Sequence, residues 1–137
     1  MCGLCGMFNT DGRPAARESV WAMRDALAHR GPDDAGDYFS GSVGLGFRRL
    51  SILDLENGHQ PMSSPDGQVT LVFNGEIYNH PQLRDELISK GVVYKTRSDT
   101  ETILLLYLRE GLAAFARLEG MFAVALWDGP QRRFVLA

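Results

Sequence analysis

The chain opens Met1-Cys2-Gly3-Leu4-Cys5-Gly6-Met7-Phe8, a small and apolar run that reads as a first strand headed by a cysteine. A small side chain at position two generally permits removal of Met1. Cys2 then becomes the N-terminus and carries both a thiol and a free α-amine. The amine titrates at roughly 7.7–8.0 and the thiol at about 8.5, so a proton can pass between them near neutral pH. Base and nucleophile come from one residue, an arrangement that activates a thiol without a separate histidine.

The same residues spell C-x-x-C, which invites a redox or zinc reading. A redox pair sits between a strand and the start of a helix, where the helix N-terminus lowers a thiol pKa. Here the pair opens the chain, and Gly6-Met7-Phe8 continues as strand. A structural zinc needs about four ligands. With two cysteines, the set would have to recruit His29, His59 and His80 from loops with no paired spacing. No metal site is expected, and Cys5 is expected to be a small buried residue of the first strand.

The rest of the composition is that of one domain. The 137 residues are 45% hydrophobic, enough for a core, and the net charge of −3 is spread without a basic footprint for nucleic acid or an anionic membrane. No apolar run approaches the roughly 20 residues of a membrane-spanning helix, and no signal peptide opens the chain. Two cysteines without a disulfide pattern suit a reducing cytoplasm. Arg133-Phe134-Val135-Leu136-Ala137 rises into an apolar strand with no cap after it, so the chain is expected to be a piece of something longer.

Outward from the first strand, period-2 runs predict strands over Asp37–Phe39, Val43–Phe47, Val69–Phe73, Val92–Tyr94, Met121–Trp127 and Phe134–Ala137. Helical spacing predicts Arg17–His29, with Val20, Trp21, Met23, Arg24 and Leu27 on one face and Gly31-Pro32 beyond the end. A second helix follows Asn79-His80-Pro81 to about Ser89. A third runs from Asp99 to about Glu110, with Ile103, Leu104, Tyr107 and Leu108 as its buried stripe. Asp128-Gly129 reads as a hairpin turn. Strands punctuated by helices predict an α+β fold, layered α/β/β/α with mainly antiparallel sheets. The polar stretches 30–36 and 56–68 are the loops on which a site would be built.

Three clusters carry plausible chemistry beside a purely structural reading. Arg48 and Arg49 are adjacent on a strand and point to opposite faces, so one can hold a carboxylate bidentately while the other meets solvent; both can equally be solvated cations. Asn74-Gly75 is a strong hairpin signal, yet an Asn amide with a Gly N–H is also a donor pair for a developing oxyanion. Ser98-Asp99-Thr100-Glu101 matches a capping box, which accounts for Ser98 and Glu101 and leaves Asp99 free to pair with an ammonium.

Met1-Cys2-Gly3, His29-Arg30-Gly31-Pro32-Asp33, Arg49-Leu50-Ser51-Ile52, Gln60-Pro61, Asn74-Gly75-Glu76-Ile77-Tyr78-Asn79, Ser98-Asp99-Thr100-Glu101 and Leu118-Glu119-Gly120-Met121-Phe122-Ala123 follow one another along nearly the whole chain. In that order they resemble the glutaminase domain of class II glutamine amidotransferases, and among these the glutamine-hydrolysing asparagine synthetases. The Arg49-Leu50-Ser51-Ile52 wording favours the synthetase branch. The sugar-phosphate and phosphoribosyl branches usually carry Arg-Trp or Arg-Tyr there, and another amidotransferase of the class is the alternative.

The resemblance implies an N-terminal-nucleophile αββα sandwich over residues 1–137, incomplete at its C-terminus. It implies Cys2 as nucleophile and Asn74 with Gly75 as the oxyanion hole. It assigns Arg49, Leu50, Ile52, Leu53, Asn74, Gly75, Glu76 and Asp99 to glutamine, with Arg49 on the α-carboxylate and Asp99, with Glu76, on the α-ammonium. Ammonia would pass to a C-terminal synthetase domain that uses ATP and magnesium; the glutaminase domain itself is expected to need no cofactor, and a homodimer is allowed. This chain departs from the family in lacking any Ser-Gly-Gly-x-Asp loop or other phosphate cradle. While Met1 stays attached, Cys2 has no free amine, and the domain would be a silent binding or regulatory module.

Overall fold

Val43-Gly44-Leu45-Gly46-Phe47 alternates large and small residues, and the alternation decides how the layers stack. In the computed structural model, which describes residues 2–50 and 58–137, this run belongs to β3 (Val43–Arg49). β1 (Gly3–Phe8) and β2 (Asp34–Ser40) flank it, both antiparallel, in the order β1-β3-β2. The glycines of β3 face α1 (Arg17–Ala26), and a Cβ on Gly44 would lie 2.8 Å from a Val20 methyl. Val43, Leu45 and Phe47 face the other way and are almost fully buried.

They meet a second antiparallel sheet, ordered β4-β5-β6-β7, from β4 (Met62–Ser63), β5 (Val69–Ile77), β6 (Gly120–Asp128) and β7 (Arg133–Leu136). Val72 of β5 and Ala125 and Trp127 of β6 complete the core between the sheets, with Cys2, Leu4 and Phe134 at its margin. The opposite face of β5 and β6 packs Leu71, Phe73, Val124 and Leu126 against α2 (His80–Ser89) and α3 (Asp99–Glu110). The layers are therefore helix, sheet, sheet, helix, as the resemblance implies.

Several elements differ from expectation. α1 ends at Ala26, with Leu27 through Arg30 in a turn, so Gly31 is not its C-terminal glycine. Only Val20 of its predicted apolar face is buried, because the glycine-lined surface of β3 admits little more than that side chain. Val92–Tyr94 keeps an in-and-out alternation but has no neighbouring strand among the described residues: Val93 is exposed, and Tyr94 packs under the Arg84 guanidinium and bonds Thr102. On α3 the buried stripe takes Leu106 rather than Leu108. The short β4 and a 3-10 helix at Gly111–Arg117 carry no periodic signal. Asp34–Gly36, expected as loop, is the start of β2. Asn74-Gly75 is no hairpin, for β5 runs straight through it, paired to β6 from Val69↔Asp128 to Ile77↔Gly120. The Asp128-Gly129 turn does join β6 to β7.

Candidate active site

Cys2 stands at the head of β1, on the face turned toward the second sheet. Its Sγ accepts a hydrogen bond from the Leu50 N–H at 3.4 Å and lies 3.8 Å from the Leu50 carbonyl oxygen, toward which a thiol can donate. The Arg30 Nε–H donates to the Cys2 carbonyl at 3.2 Å. Cys2 is thus tied to the end of β3 through its side chain and to the loop after α1 through its main chain. Gly31 in that loop packs on the backbone of β3, where a Cβ would lie 2.4 Å from the Arg48 carbonyl carbon. Close approach of two backbones makes that position a glycine.

Cys5 lies three residues on, so strand alternation sends it to the other face. Its Sγ lies 3.8 Å from the Val20 carbonyl oxygen under α1, and burial pushes its thiol pKa up. Both cysteines are free, and their side chains diverge, so C-x-x-C here is two unrelated residues. Among the described residues no group of three His, Cys, Asp or Glu is placed to hold a metal.

Arg49 shares the inward face of β3 with Phe47 and is 7% exposed, opposite Asp34 in the register. Arg48 takes the other face, as expected, but does not end in solvent: its Nη2 donates to Asp25 of α1 at 2.9 Å. Arg24 and Arg48 together hold the Asp25 carboxyl below the usual carboxylate range. The glycine-lined face of β3 leaves α1 close enough for this pairing.

On β5, Thr70, Val72, Asn74 and Glu76 point toward the first sheet. Asn74 is half-buried, and no described residue bonds its side-chain amide. The neighbouring main chain shows where the other donor lies. Tyr78 N–H donates to Glu119 across the β5–β6 ladder at 2.7 Å. By antiparallel alternation, Glu76 and Asn74 also turn their N–H groups to β6, while Phe73, Gly75 and Ile77 turn theirs to the opposite edge. There Phe73 N–H meets Gln60 Oε1 at 2.6 Å and Ile77 N–H meets Asp99 Oδ2 at 3.1 Å. The Gly75 N–H lies between them. Gly75 has φ 147°, and a Cβ on it would stand 2.1 Å from the Met121 carbonyl oxygen, so only glycine fits.

Asp99 is the first residue of α3, behind its cap: Ser98 Oγ accepts from Thr100 N–H at 3.1 Å. The capping box is only half formed. Glu101 does not reach back to Ser98; its buried carboxylate instead accepts the Lys95 and Thr96 N–H groups at 2.8 and 2.6 Å and so shapes the loop before the helix. Burial raises the Asp99 pKa above the ordinary carboxylate value, against the Ile77 N–H bond and the nearby His80, which lower it. A buried carboxylate in that state favours a cationic partner.

The fold joins Cys2 to Leu50 at the end of β3, sets Arg49 beside Leu50 in the chain, carries Asn74, Gly75 and Glu76 in succession on β5, and ties Asp99 of α3 to the Ile77 N–H just beyond them. Glu76 is exposed on the same face as Asn74. Ile52 and Leu53 lie outside the described residues. Arg30, Gly31 and Gln60 were not singled out by chemistry from the sequence; Gln60 and Arg30 bond main chain, a role with no local spacing signal.

The family model described as a glutamine amidotransferase domain matches residues 1–137. Asparagine synthetase [glutamine-hydrolyzing] 1 of Bacillus subtilis is 45% identical over 133 residues, which cover 93% of this chain and 21% of that protein. The yeast protein of the same name, from Saccharomyces cerevisiae, is 38% identical over 137 residues, covering all of this chain and 24% of its relative. The chain thus spans less than a quarter of the length of either. Among solved structures, the glutamine phosphoribosylpyrophosphate amidotransferase of Bacillus subtilis superposes with a TM-score of 0.76 at 22% identity, over 93% of this chain and 35% of the other.

Proposed function

The chain belongs to the family of glutamine amidotransferase domains, and on that premise we propose that it hydrolyses glutamine to glutamate and ammonia with Cys2 as nucleophile. The observation that carries the assignment is the pair of donors on β5: an Asn74 amide bonded by no described residue and, next to it, a Gly75 N–H aimed at the open edge between Gln60 and Asp99.

Once Met1 is removed, the Cys2 thiol gives its proton to its own α-amine and attacks the side-chain carbonyl carbon of glutamine. The carbonyl oxygen becomes an oxyanion, held by Asn74 Nδ2 and the Gly75 N–H. One such donor typically contributes about 2.7–4 kcal/mol to the barrier. The ammonium returns the proton to the leaving nitrogen, ammonia departs, and a γ-glutamyl thioester remains on Cys2. Water then attacks the same carbonyl carbon, breaks the C–S bond and restores the thiol. Arg49 takes the substrate α-carboxylate and Asp99, with Glu76, its α-ammonium. Fixed charges at that end set the reach to the thiol, so asparagine falls short, and glutamate places a charge where a neutral amide belongs.

The likeness to glutamine-hydrolysing asparagine synthetases supports a parent protein in the cytoplasm whose further domain uses ATP and magnesium to join the ammonia to aspartate. Glutamine-dependent ammonia release by the processed parent protein, assayed in wild type, Cys2→Ala and Cys5→Ala, tests the reading. Cys2→Ala should lose it while ammonia-dependent synthesis survives, and Cys5→Ala should keep it. The reverse pattern overturns the assignment. Intact mass gives a second check, because a chain that retains Met1 should be inactive.

A further inference from the structure

We propose that Gln60 is the positioning residue of this site, its carboxamide holding the oxyanion donors of β5 and the Asp99 end of α3 in one frame. The inference rests on the glutaminase reading above. β4 pairs with β5 only at Met62↔Leu71 and Ser63↔Thr70. Continued two residues back, that register would set the main chain of Gln60 beside Phe73. The main chain goes elsewhere: the Gln60 carbonyl oxygen lies against Gly36 of β2, where a Cβ would stand 1.9 Å from it.

The side chain replaces the missing strand. Gln60 Oε1 accepts the Phe73 N–H at 2.6 Å, and Nε2 donates to the Phe73 carbonyl at 3.1 Å and to Thr100 Oγ1 at 3.3 Å. Phe73 immediately precedes Asn74-Gly75, and Thr100 immediately follows Asp99. Gln60, 6% exposed, therefore joins the first sheet through its main chain and, through its amide, the donor strand and the ammonium-binding helix. Its work requires an acceptor and a donor on one planar head. A carboxylate at this position would accept from Phe73 N–H but face the Phe73 carbonyl with a second acceptor. A protonated carboxylic acid offers both functions, and burial raises the pKa of such a group.

That asymmetry gives a test that a merely structural role would not meet. The kcat for glutamine hydrolysis is measured for wild type, Gln60→Glu and Gln60→Leu in the full chain with Met1 removed, from neutral to acid pH and below each melting temperature. At neutral pH both variants should fall by about tenfold or more, the equivalent of one lost hydrogen bond. Toward acid pH the ratio of Gln60→Glu to wild type should climb, while that of Gln60→Leu stays flat. The charged groups on the elements packed around the amide are Asp34 at the start of β2 with its partner His59, Glu76 on β5, and Asp99 and Glu101 on α3. Gln60→Leu keeps all of these neighbours and adds no carboxyl at position 60, so its ratio is the control for them. A flat Gln60→Glu ratio, or wild-type kcat in either variant, overturns the inference. Should Gln60→Leu fail to fold, Gln60→Glu decides alone. A wild-type chain that releases no ammonia rejects the glutaminase reading and this one with it, whereas an active wild type with a flat ratio rejects Gln60 only.

Discussion

The two halves of β5 are one continuous strand with two different designs. From Val69 to Phe73 every residue is buried, with β6 on one side and, at Thr70 and Leu71, β4 on the other. From Asn74 to Glu76 none is buried, and among the described residues no strand pairs with the β4 side. Side chains from Gln60 and Asp99 take the Phe73 and Ile77 N–H groups at either end of that stretch, leaving the Gly75 N–H between them. The first half is core, and the second is where the proposed function places its donors. A strand edge is usually a liability; in the proposed function it is the place where a reacting carbonyl is met.

Substitution should separate the halves cleanly. Asn74→Asp replaces a donor with a negative charge beside developing negative charge. Turnover should fall by at least the roughly 10²–10³ of a lost oxyanion donor, with the melting temperature little changed. Leu71→Ala, at a fully buried position, should cost about 2–5 kcal/mol of stability and leave kcat of the folded protein near wild type. Steady-state kinetics beside denaturant unfolding reads both, and an Asn74→Asp variant of normal turnover would return that residue to structure.

The next contrast is between the two arginines of β3. Arg49→Ala should weaken glutamine binding by about 2–5 kcal/mol, as when one partner of a buried charge pair is removed. Arg48→Ala breaks the Asp25 pair on the α1 face and should lower stability slightly without moving KM. Equal shifts in KM from both would refute the division of faces.

The smallest effect expected is at Asp99. Burial raises its folded pKa above its unfolded value, so the ionised carboxylate opposes folding at neutral pH and the opposition fades as pH falls through the folded pKa. Asp99→Asn keeps an acceptor for the Ile77 N–H and removes that charge. Its melting temperature should equal or exceed wild type at pH 7 and the difference should vanish in acid. Added glutamine should raise the melting temperature of wild type alone. A loss of stability at neutral pH, with glutamine still protective, would make Asp99 a structural cap.

Much of this was legible in the sequence because it rests on local periodicity. The limits of β1 and α3 follow from alternation and helical spacing, and the inward face of Arg49 follows from strand parity. What was not legible depends on partners distant in the chain. Asn74-Gly75 has the local wording of a hairpin, and only the long ladder to β6 keeps it straight. Val92–Tyr94 has strand wording and no neighbouring strand among the described residues. Gln60 enters only through the Gln60-Pro61 pair of the resemblance, with no local signal of its role, for its amide bonds a main chain 13 residues away. Gly31 reads as a helix stop, while its true constraint is the backbone of β3 packed against it.

The central claim is that the carbonyl is attacked by Cys2, at the head of β1, beneath donors from the exposed half of β5. Acid quench of the Met1-processed chain during glutamine turnover, followed by peptide mass mapping, tests it most directly. A γ-glutamyl adduct on the peptide that begins at Cys2, accumulating in wild type and lost in Cys2→Ala, is the predicted result. Turnover with the adduct on Cys5, or undiminished turnover in Cys2→Ala, would contradict it.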